Sequence, residues 1–314
     1  MPKLSVVIPV YYNQDTLDLV YEDLKKVVFT TIKDYELVLV DDGSGDESWQ
    51  KMKMIAEEDD KVKIIKLSRN FGSHAACLAG LTASTGECVT IKAADLQEPS
   101  DIILDMYRKW EDGNKVVLAV REDREEGFAQ KIFAGMYYSL VRKFALSNMP
   151  KGGFDCYLLD RKVVHVLEQL DETNSAITLQ ILWAGFKTDI VYYVRKKREI
   201  GKSKWTLAKK IKLVMDSLLS FSFTPIRFIA GVGMAFSSIA FVWMLVVLST
   251  KIFAGISVNG WTSLMILILF SSGLILLTLG IIGEYLWRTL DASRNRPVYI
   301  IEERNDEKRE HNET

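Results

Sequence analysis

Val89-Thr90-Ile91-Lys92-Ala93-Ala94-Asp95-Leu96-Gln97-Glu98-Pro99 opens as a β-branched run and stops at a carboxylate. Ser100 follows Pro99 and reads as the N-cap of a new helix. A strand that ends by presenting Asp95 to a loop sits where open parallel sheets bind ligands, just outside their carboxyl ends. Two upstream stretches end in the same way. Val6-Val7-Ile8 runs into Pro9-Val10-Tyr11, and Leu37-Val38-Leu39-Val40 runs into Asp41-Asp42-Gly43-Ser44. A single Asp at a strand end commonly does no more than cap the next helix. Strand ends that together offer acids and an aromatic point to one pocket.

Outward from that stretch the chain alternates strand and helix. The patterns predict strands over Leu4–Val10, Glu36–Asp41, Lys63–Leu67, Cys88–Ala93 and Lys115–Val120. They predict helices over Asp15–Phe29, Glu47–Glu58, His74–Ser84 and Ser100–Asp112. This βαβ rhythm implies an α/β fold, a mostly parallel sheet with helices on both faces. No GxGxxG follows the first strand, which disfavours a dinucleotide-dependent oxidoreductase. A formal net charge of −1 on 314 residues disfavours a nucleic-acid partner. Cys77, Cys88 and Cys156 form no CxxC pair and read as buried thiols. Met1 to Val10 is too short and too Pro-interrupted to read as a signal peptide.

Hydrophobicity is concentrated late. Phe228–Leu248 and Trp261–Ile282 carry no charged residue, and each as a helix would cross roughly 30 Å, the bilayer core. They read as a transmembrane hairpin whose glycines (Gly231, Gly233, Gly273, Gly280) let the helices approach closely. Lys and Arg crowd the flanks while the connecting loop holds only Lys251. By the positive-inside rule the large N-terminal part and both termini are cytoplasmic, placing the protein in the cytoplasmic (plasma) membrane. Leu207, Ile211, Val214, Met215 and Leu218 recur at helical spacing with Lys209, Lys210 and Lys212 off that face. That pattern predicts an amphipathic interfacial helix anchored by Trp205. The expected organisation is a catalytic domain over 1–204, the interfacial helix over 205–225, the hairpin over 226–283 and a tail over 284–314.

The motifs then become specific. Val7-Ile8-Pro9-Val10-Tyr11, Val40-Asp41-Asp42-Gly43-Ser44-Gly45-Asp46, Leu67-Ser68-Arg69-Asn70-Phe71-Gly72 and Ala94-Asp95-Leu96-Gln97-Glu98-Pro99 resemble the family 2 inverting glycosyltransferases in order and spacing. The hairpin and tail resemble the polyisoprenyl-phosphate group of that family, which includes dolichol-phosphate mannose synthase. The resemblance covers nearly the whole chain. It implies the GT-A fold, a nucleotide-sugar donor, a polyprenyl phosphate acceptor and a divalent metal, Mg²⁺ or Mn²⁺. In that frame Asp95 is the expected metal ligand, and Gln97 joins it if the segment stays extended. Asp41 and Asp42 are expected to accept hydrogen bonds from the uracil or ribose edge, and Pro9 and Tyr11 to pack the base. Arg69 faces a phosphate or makes a surface ion pair; His74 reads as a helix-start residue.

The chain departs from the family pattern at two places. Ala93-Ala94-Asp95 stands where the family carries Asp-Ala-Asp, and Tyr11-Tyr12-Asn13 where it carries Tyr-Asn-Glu. Further on, Gly152-Gly153-Phe154-Asp155-Cys156-Tyr157-Leu158-Leu159-Asp160-Arg161 resembles the family's Gly-Asp-Phe-Arg-Leu segment, with Tyr157 at the usual Arg. This alignment makes Asp155 the catalytic-site acid and leaves Asp160 as an N-cap. Ala129–Ser147 reads as a helix with an apolar stripe for packing. The basic run Arg195 to Trp205 is expected beside the acceptor phosphate, with Arg195, Arg198, Lys202 and Lys204 as its contacts; attraction to anionic headgroups would use the same charges. The run from Glu302 to Thr314 reads as disordered, and Val298–Ile301 as a strand able to add to a neighbouring subunit of a homo-oligomer. A processive polysaccharide synthase lacks support, since no Gln-x-x-Arg-Trp is present. A catalytically impaired relic serving as a membrane scaffold is the non-enzymatic alternative, favoured by Ala93 and opposed by Asp42, Asp95 and Asp155.

Overall fold

Apolar strands alternating with helices build the chain in the order β1 (Leu4–Val10), α1 (Leu17–Val27), β2 (Tyr35–Asp41), α2 (Ser48–Glu58), β3 (Val62–Leu67), α3 (Ser73–Ala83), β4 (Cys88–Ile91) and α4 (Asp101–Glu111). There follow β5 (Val116–Asp123), α5 (Phe128–Phe144), β6 (Phe154–Asp160), α6 (Arg161–Glu168), α7 (Ile177–Trp183), β7 (Thr188–Val194), α8 (Leu207–Phe221), α9 (Thr224–Ala254), α10 (Trp261–Ser293) and β8 (Ile301–Arg304). The computed structural model describes residues 2–123, 128–170, 172, 175–195, 207–222, 224–254 and 260–305.

The strands form one 8-stranded sheet, ordered β7-β5-β6-β4-β1-β2-β3-β8. β1, β2, β3 and β4 run parallel, and β5 and β7 share their direction; β6 and β8 run against them. The central strands are near-continuous apolar runs because helices cover both faces. Val6, Val7, Ile8, Leu37, Val38, Leu39 and Val40 are all buried. α1 presents Leu17, Val20, Tyr21 and Leu24, an i, i+3, i+4, i+7 stripe, to that sheet. The expected α/β fold with helices on both faces is the one observed.

The three buried thiols form no disulfide. Asp160 caps α6 as expected, its side chain accepting the Lys162 N–H. Ser100 occupies the N-cap of α4 without making the cap bond, because its hydroxyl donates to Asp23 instead.

The sequence patterns missed β6 and β7. Phe154–Asp160 is buried on both faces apart from Asp155, so it shows no alternation to read. The tail also differs from expectation. The strand forms at Ile301–Arg304, beyond the expected Val298–Ile301, and pairs antiparallel with β3 of its own chain. Glu302 pairs with Lys66 at 3.0 Å and Glu303 with Lys53 at 2.9 Å, so the charges expected to keep this stretch disordered hold an edge strand instead.

The chain divides into two compact units: residues 1–217 with 297–314, and residues 218–296. The second unit contains α9 and α10, with Phe236 and Phe270 in ring contact at 5.2 Å. Within them Ile226–Val247 and Phe270–Ser293 are long and apolar enough to cross a membrane, and neither is buried. α10 runs to Ser293, past the expected end at Ile282, and its last turns carry a Glu284–Arg288 pair. The glycines do not act as expected: a Cβ at Gly231, Gly233, Gly273 or Gly280 would meet nothing within 4 Å. The helix predicted over 205–225 exists as α8. Among its described side chains Ser217 and Leu219 are buried, while Met215, assigned to the apolar face, is 45% exposed.

Candidate active site

Because β1 to β5 and β7 run one way apart from antiparallel β6, their carboxyl ends and the start of β6 lie along one edge of the sheet. The chain winds outward from β1 through β2 to β3 and then returns to the other side of β1 as β4. This switch point opens the crevice in which such sheets bind ligands. Every expected site residue among the described ones falls on that edge.

Tyr11 and Tyr12 follow β1. Pro9 lies within β1, half-buried. The Tyr11 and Tyr12 rings meet edge to face at 4.8 Å. The Tyr12 N–H donates to Ser44 Oγ at 3.0 Å, and its hydroxyl lies against Gly45. Tyr12, noted in the sequence only as a departure from the family pattern, is 47% exposed. Asp41 and Asp42 end β2, both buried. Asp42 accepts the backbone N–H groups of Phe71 (2.7 Å) and Gly72 (3.0 Å), so both its oxygens tether the chain at the start of α3. Asp41 accepts the Ser44 N–H at 3.1 Å through Oδ1, and its Oδ2 is buried without a protein partner. Burial raises the pKa of both carboxyls above the ordinary Asp value. Arg69 lies exposed, its guanidinium 4.0 Å over the Phe71 ring, and donates to the Asn70 carbonyl.

The stretch after β4 is a turn and not the extended segment expected. Leu96 sits in the left-handed region at φ 57°, and the Gln97 N–H folds back onto Asp95 Oδ1 at 3.3 Å. The turn still puts both side chains on one partner. Arg195 Nη2 donates to Gln97 Oε1 at 2.7 Å and stands 3.9 Å from Asp95 Oδ2. Arg195, expected at the acceptor phosphate, thus rests on the pair expected to hold the metal. Beneath them Lys92 is 1% exposed and donates to the Glu98 carbonyl, while the Glu98 carboxylate accepts the Ala93 N–H at 3.3 Å. Burial raises the Glu98 pKa; the charges of Lys92 and Arg195 oppose that rise, and Asp95 adds to it.

Asp155 begins β6 with its side chain half exposed and makes an ion pair with Arg121, whose side chain is only 5% exposed. Arg121 also lies against the Tyr193 hydroxyl at 3.4 Å. Burial works against the Arg121 charge, but Tyr193, Tyr138 and Glu98 around it hold its pKa above the ordinary value. Arg121 and Tyr193 had no sequence signal of their own: each is one polar residue in a strand, and only the sheet order brings them to the edge that carries Lys92 and Glu98. Tyr157, at the family's Arg position, is buried in the core beside Ile91, so the cation next to Asp155 comes from β5. Arg198, Lys202 and Lys204 lie outside the described residues, as does Trp205.

Among the described residues no three His, Cys, Asp or Glu side chains gather as a metal cage. The donor set at the Leu96 turn is one carboxylate and one amide carbonyl. These hard oxygens suit Mg²⁺ or Mn²⁺ when a diphosphate and water complete the shell. A cationic group, the Arg195 guanidinium, already lies against both, so the residues present fit a divalent cation.

Comparison with known proteins agrees with this architecture. Residues 5–168 match the glycosyl transferase family 2 domain. An uncharacterized glycosyltransferase of Bacillus subtilis (strain 168), YkcC, is 39% identical over 299 residues, covering 95% of this chain and 93% of that protein. A prophage bactoprenol glucosyl transferase homolog of Escherichia coli (strain K12) is 34% identical over 305 residues, 95% of this chain and 98% of its own length. The bactoprenol glucosyl transferase of Shigella phage SfV is likewise 34% identical, over 95% of this chain and 98% of its own. On the strength of the matched domain and of relatives aligned along nearly their whole length, the chain belongs to glycosyl transferase family 2 and is a glycosyltransferase.

Proposed function

We propose that the protein transfers one sugar from a nucleotide-sugar, UDP-linked, to a polyprenyl phosphate at the cytoplasmic face of the membrane, with inversion and metal assistance, for modification of a cell-envelope glycan. The observation that carries this reading is the convergence on one sheet edge of an acidic metal-type turn (Asp95, Gln97), a half-exposed carboxylate (Asp155) and two arginines (Arg121, Arg195). The relatives named as bactoprenol glucosyl transferases support the lipid acceptor. The two apolar helices support its delivery from a membrane.

The donor's nucleoside end fits the β1–β2 side of the crevice. There Asp41 Oδ2, buried and without a protein partner, is an acceptor suited to a ribose or base N–H or O–H. Tyr11 and Tyr12 offer ring faces for the base. Asp42 contributes by fixing the β3–α3 loop. When bound, a divalent cation on Asp95 and Gln97 would offset the charge that develops on the departing diphosphate. An acceptor phosphate oxygen attacks the anomeric carbon from the face opposite the diphosphate. The C–O bond to the diphosphate breaks, and a nucleoside diphosphate leaves. A phosphate monoester has its second pKa near about 6 and is mostly ionised at neutral pH, so little base catalysis is needed. Asp155, fixed by Arg121, orients the acceptor, takes any residual proton and stabilises the cationic sugar carbon. The Lys and Arg residues flanking the two apolar helices support cytoplasmic termini.

Purified protein in detergent, incubated with several nucleotide-sugars and undecaprenyl phosphate and read by mass spectrometry, tests this. A lipid phosphate carrying one sugar is the expected product. A ladder of longer glycans would make the protein a processive synthase, and no product with any donor would leave it a binding protein.

A further inference from the structure

We propose that Arg195 is a positioning residue that serves as the resident counter-ion of the donor site: its guanidinium holds the Asp95–Gln97 turn in shape at rest, and the metal–donor complex displaces it toward the acceptor phosphate.

Arg195 follows β7, three strands from β4 in the sheet, a distance of about 14 Å at strand spacing. Even so, its Nη2 reaches Gln97 Oε1 at 2.7 Å and Asp95 Oδ2 at 3.9 Å. They belong to the same carboxylate and amide that are proposed to hold the metal. The Arg195 and Asp95 side chains are only 18% and 15% exposed, so water screens the pair weakly. A divalent cation on these groups would stand beside the guanidinium and repel it.

The guanidinium's contact with Asp95 Oδ2 is long, 3.9 Å against 2.7 Å to Gln97 Oε1. Arg121 already has Asp155 as its partner. A metal on Asp95 and Gln97 would take these two acceptors from the guanidinium, and the phosphate of the incoming acceptor is an anion it could turn to. A lipid phosphate then offers the planar guanidinium a bidentate, charge-assisted partner. Donor loading would thereby release the residue that opens the basic run toward the acceptor. Ala93 completes the device: an Asp there would add a second carboxylate and allow metal and guanidinium to bind separately.

The inference rests on the proposed use of Asp95 and Gln97 for the metal, but its primary test needs no turnover. Mn²⁺ binding to the full chain in detergent, without nucleotide, is read from the electron paramagnetic resonance signal of free Mn²⁺. The native chain should bind weakly. Arg195→Gln, which removes the charge and keeps hydrogen-bonding capacity, should bind at least about tenfold more tightly. Arg195→Lys should return binding toward the native value. Adding Asp95→Asn to Arg195→Gln should abolish the gain. Unchanged Mn²⁺ affinity in Arg195→Gln, equal gains in the Lys and Gln variants, or a gain that survives Asp95→Asn would each overturn the proposal. The native protein gives an independent measurement that no folding defect can spoil. Phenylglyoxal modification of Arg195, followed by peptide mass spectrometry, should speed up when Mn²⁺ and UDP are added together. No change, or slowing, would overturn it. Where turnover is measured, Arg195→Gln should raise the KM for undecaprenyl phosphate and leave the donor KM unraised; a raised donor KM would overturn the transfer to the acceptor. A chain that shows the Mn²⁺ pattern and makes no glycolipid would refute the proposed function while supporting the exchange.

Discussion

Asp155 stands half exposed at the start of β6 with a buried guanidinium behind it, an arrangement that fixes a carboxylate without hiding it. Asp155→Asn keeps the shape and removes the charge. It should lower turnover by about a hundredfold or more, in the range of a lost acid–base or charge-stabilising group. Donor affinity by calorimetry should stay within a few-fold, because the residues assigned to the donor's nucleoside end lie on the β1–β2 side and the proposed metal turn follows β4. Full turnover in the variant would remove Asp155 from the chemistry. Glu36 shows the opposite use of a buried carboxylate. Burial alone would raise its pKa, but bonds from Ser5, the Thr85 N–H and Lys63 bring it below its ordinary 4.5. Its folded value lies below the unfolded one, so its contribution to stability is complete above pH 4.5 and is lost as pH falls through the folded value. Glu36→Gln should cost about 3 kcal/mol at neutral pH, as expected when one member of a buried pair is removed. Below pH 4.5 the variant should also lose stability less steeply than the native chain in denaturant titrations across that window. Parallel acid slopes would contradict the assignment. The sequence singled out Asp155 through its motif. It was silent on Arg121 and Glu36, because a lone charge reveals its burial only after folding.

At the scale of elements, the donor edge depends on how closely the loops after β2 and β3 approach. Gly43 has φ 69°, and a Cβ there would stand 2.5 Å from the Arg69 carbonyl carbon and 2.6 Å from the Asn70 nitrogen. Both are backbone atoms with little room to give. At Gly72, with φ 101°, an added Cβ would meet nothing within 4 Å. Gly43→Ala should therefore combine backbone strain with a clash and cost about 2–4 kcal/mol, whereas Gly72→Ala should carry strain alone, about 1–2 kcal/mol. Thermal melts in detergent separate the two. Only Gly43→Ala should also weaken nucleotide binding, by parting the Arg69–Gly72 loop from Asp41 and Asp42. Equal losses for the two variants would show that the approach of the loops does not matter. The βαβ order of these elements was legible from apolar runs and turn residues. The Leu96 turn was not: a left-handed non-glycine residue is a local exception to propensity, maintained by Thr16 donating to the Ala94 carbonyl and by Glu98 beneath.

For the whole molecule, the proposed topology gives the plainest test. Ser257 lies between the two apolar helices in sequence, and Ser293 ends α10. Cysteines placed there should differ on intact cells: Ser257→Cys labelled by an impermeant thiol reagent, Ser293→Cys protected until the membrane is opened. The reverse pattern would invert the orientation. The native thiols should stay silent, since all are buried and burial pushes Cys77 up to about 12, far from a thiolate at neutral pH. The tail bears on the catalytic unit in a different way. β8 covers the β3 edge, Val298 packs against Ala75 and Leu78, and Asn305 bonds to Ile64 and Val62. Glu302 and Glu303, read from the sequence as part of a disordered run, thus serve an edge strand that covers β3.

The sequence by itself determined the α/β class, the order of the first strands and helices, the two apolar helices and the family motifs. These rest on local periodicity and on residues that carry chemistry wherever they are placed. The tertiary structure alone decided that β6 and β7 join the sheet, that β8 returns to β3, and that Arg195 lies on Asp95 and Gln97 while Arg121 lies behind Asp155. Such pairings depend on strand order across the sheet, which joins residues as far apart in sequence as Gln97 and Arg195, and no window along the chain contains both.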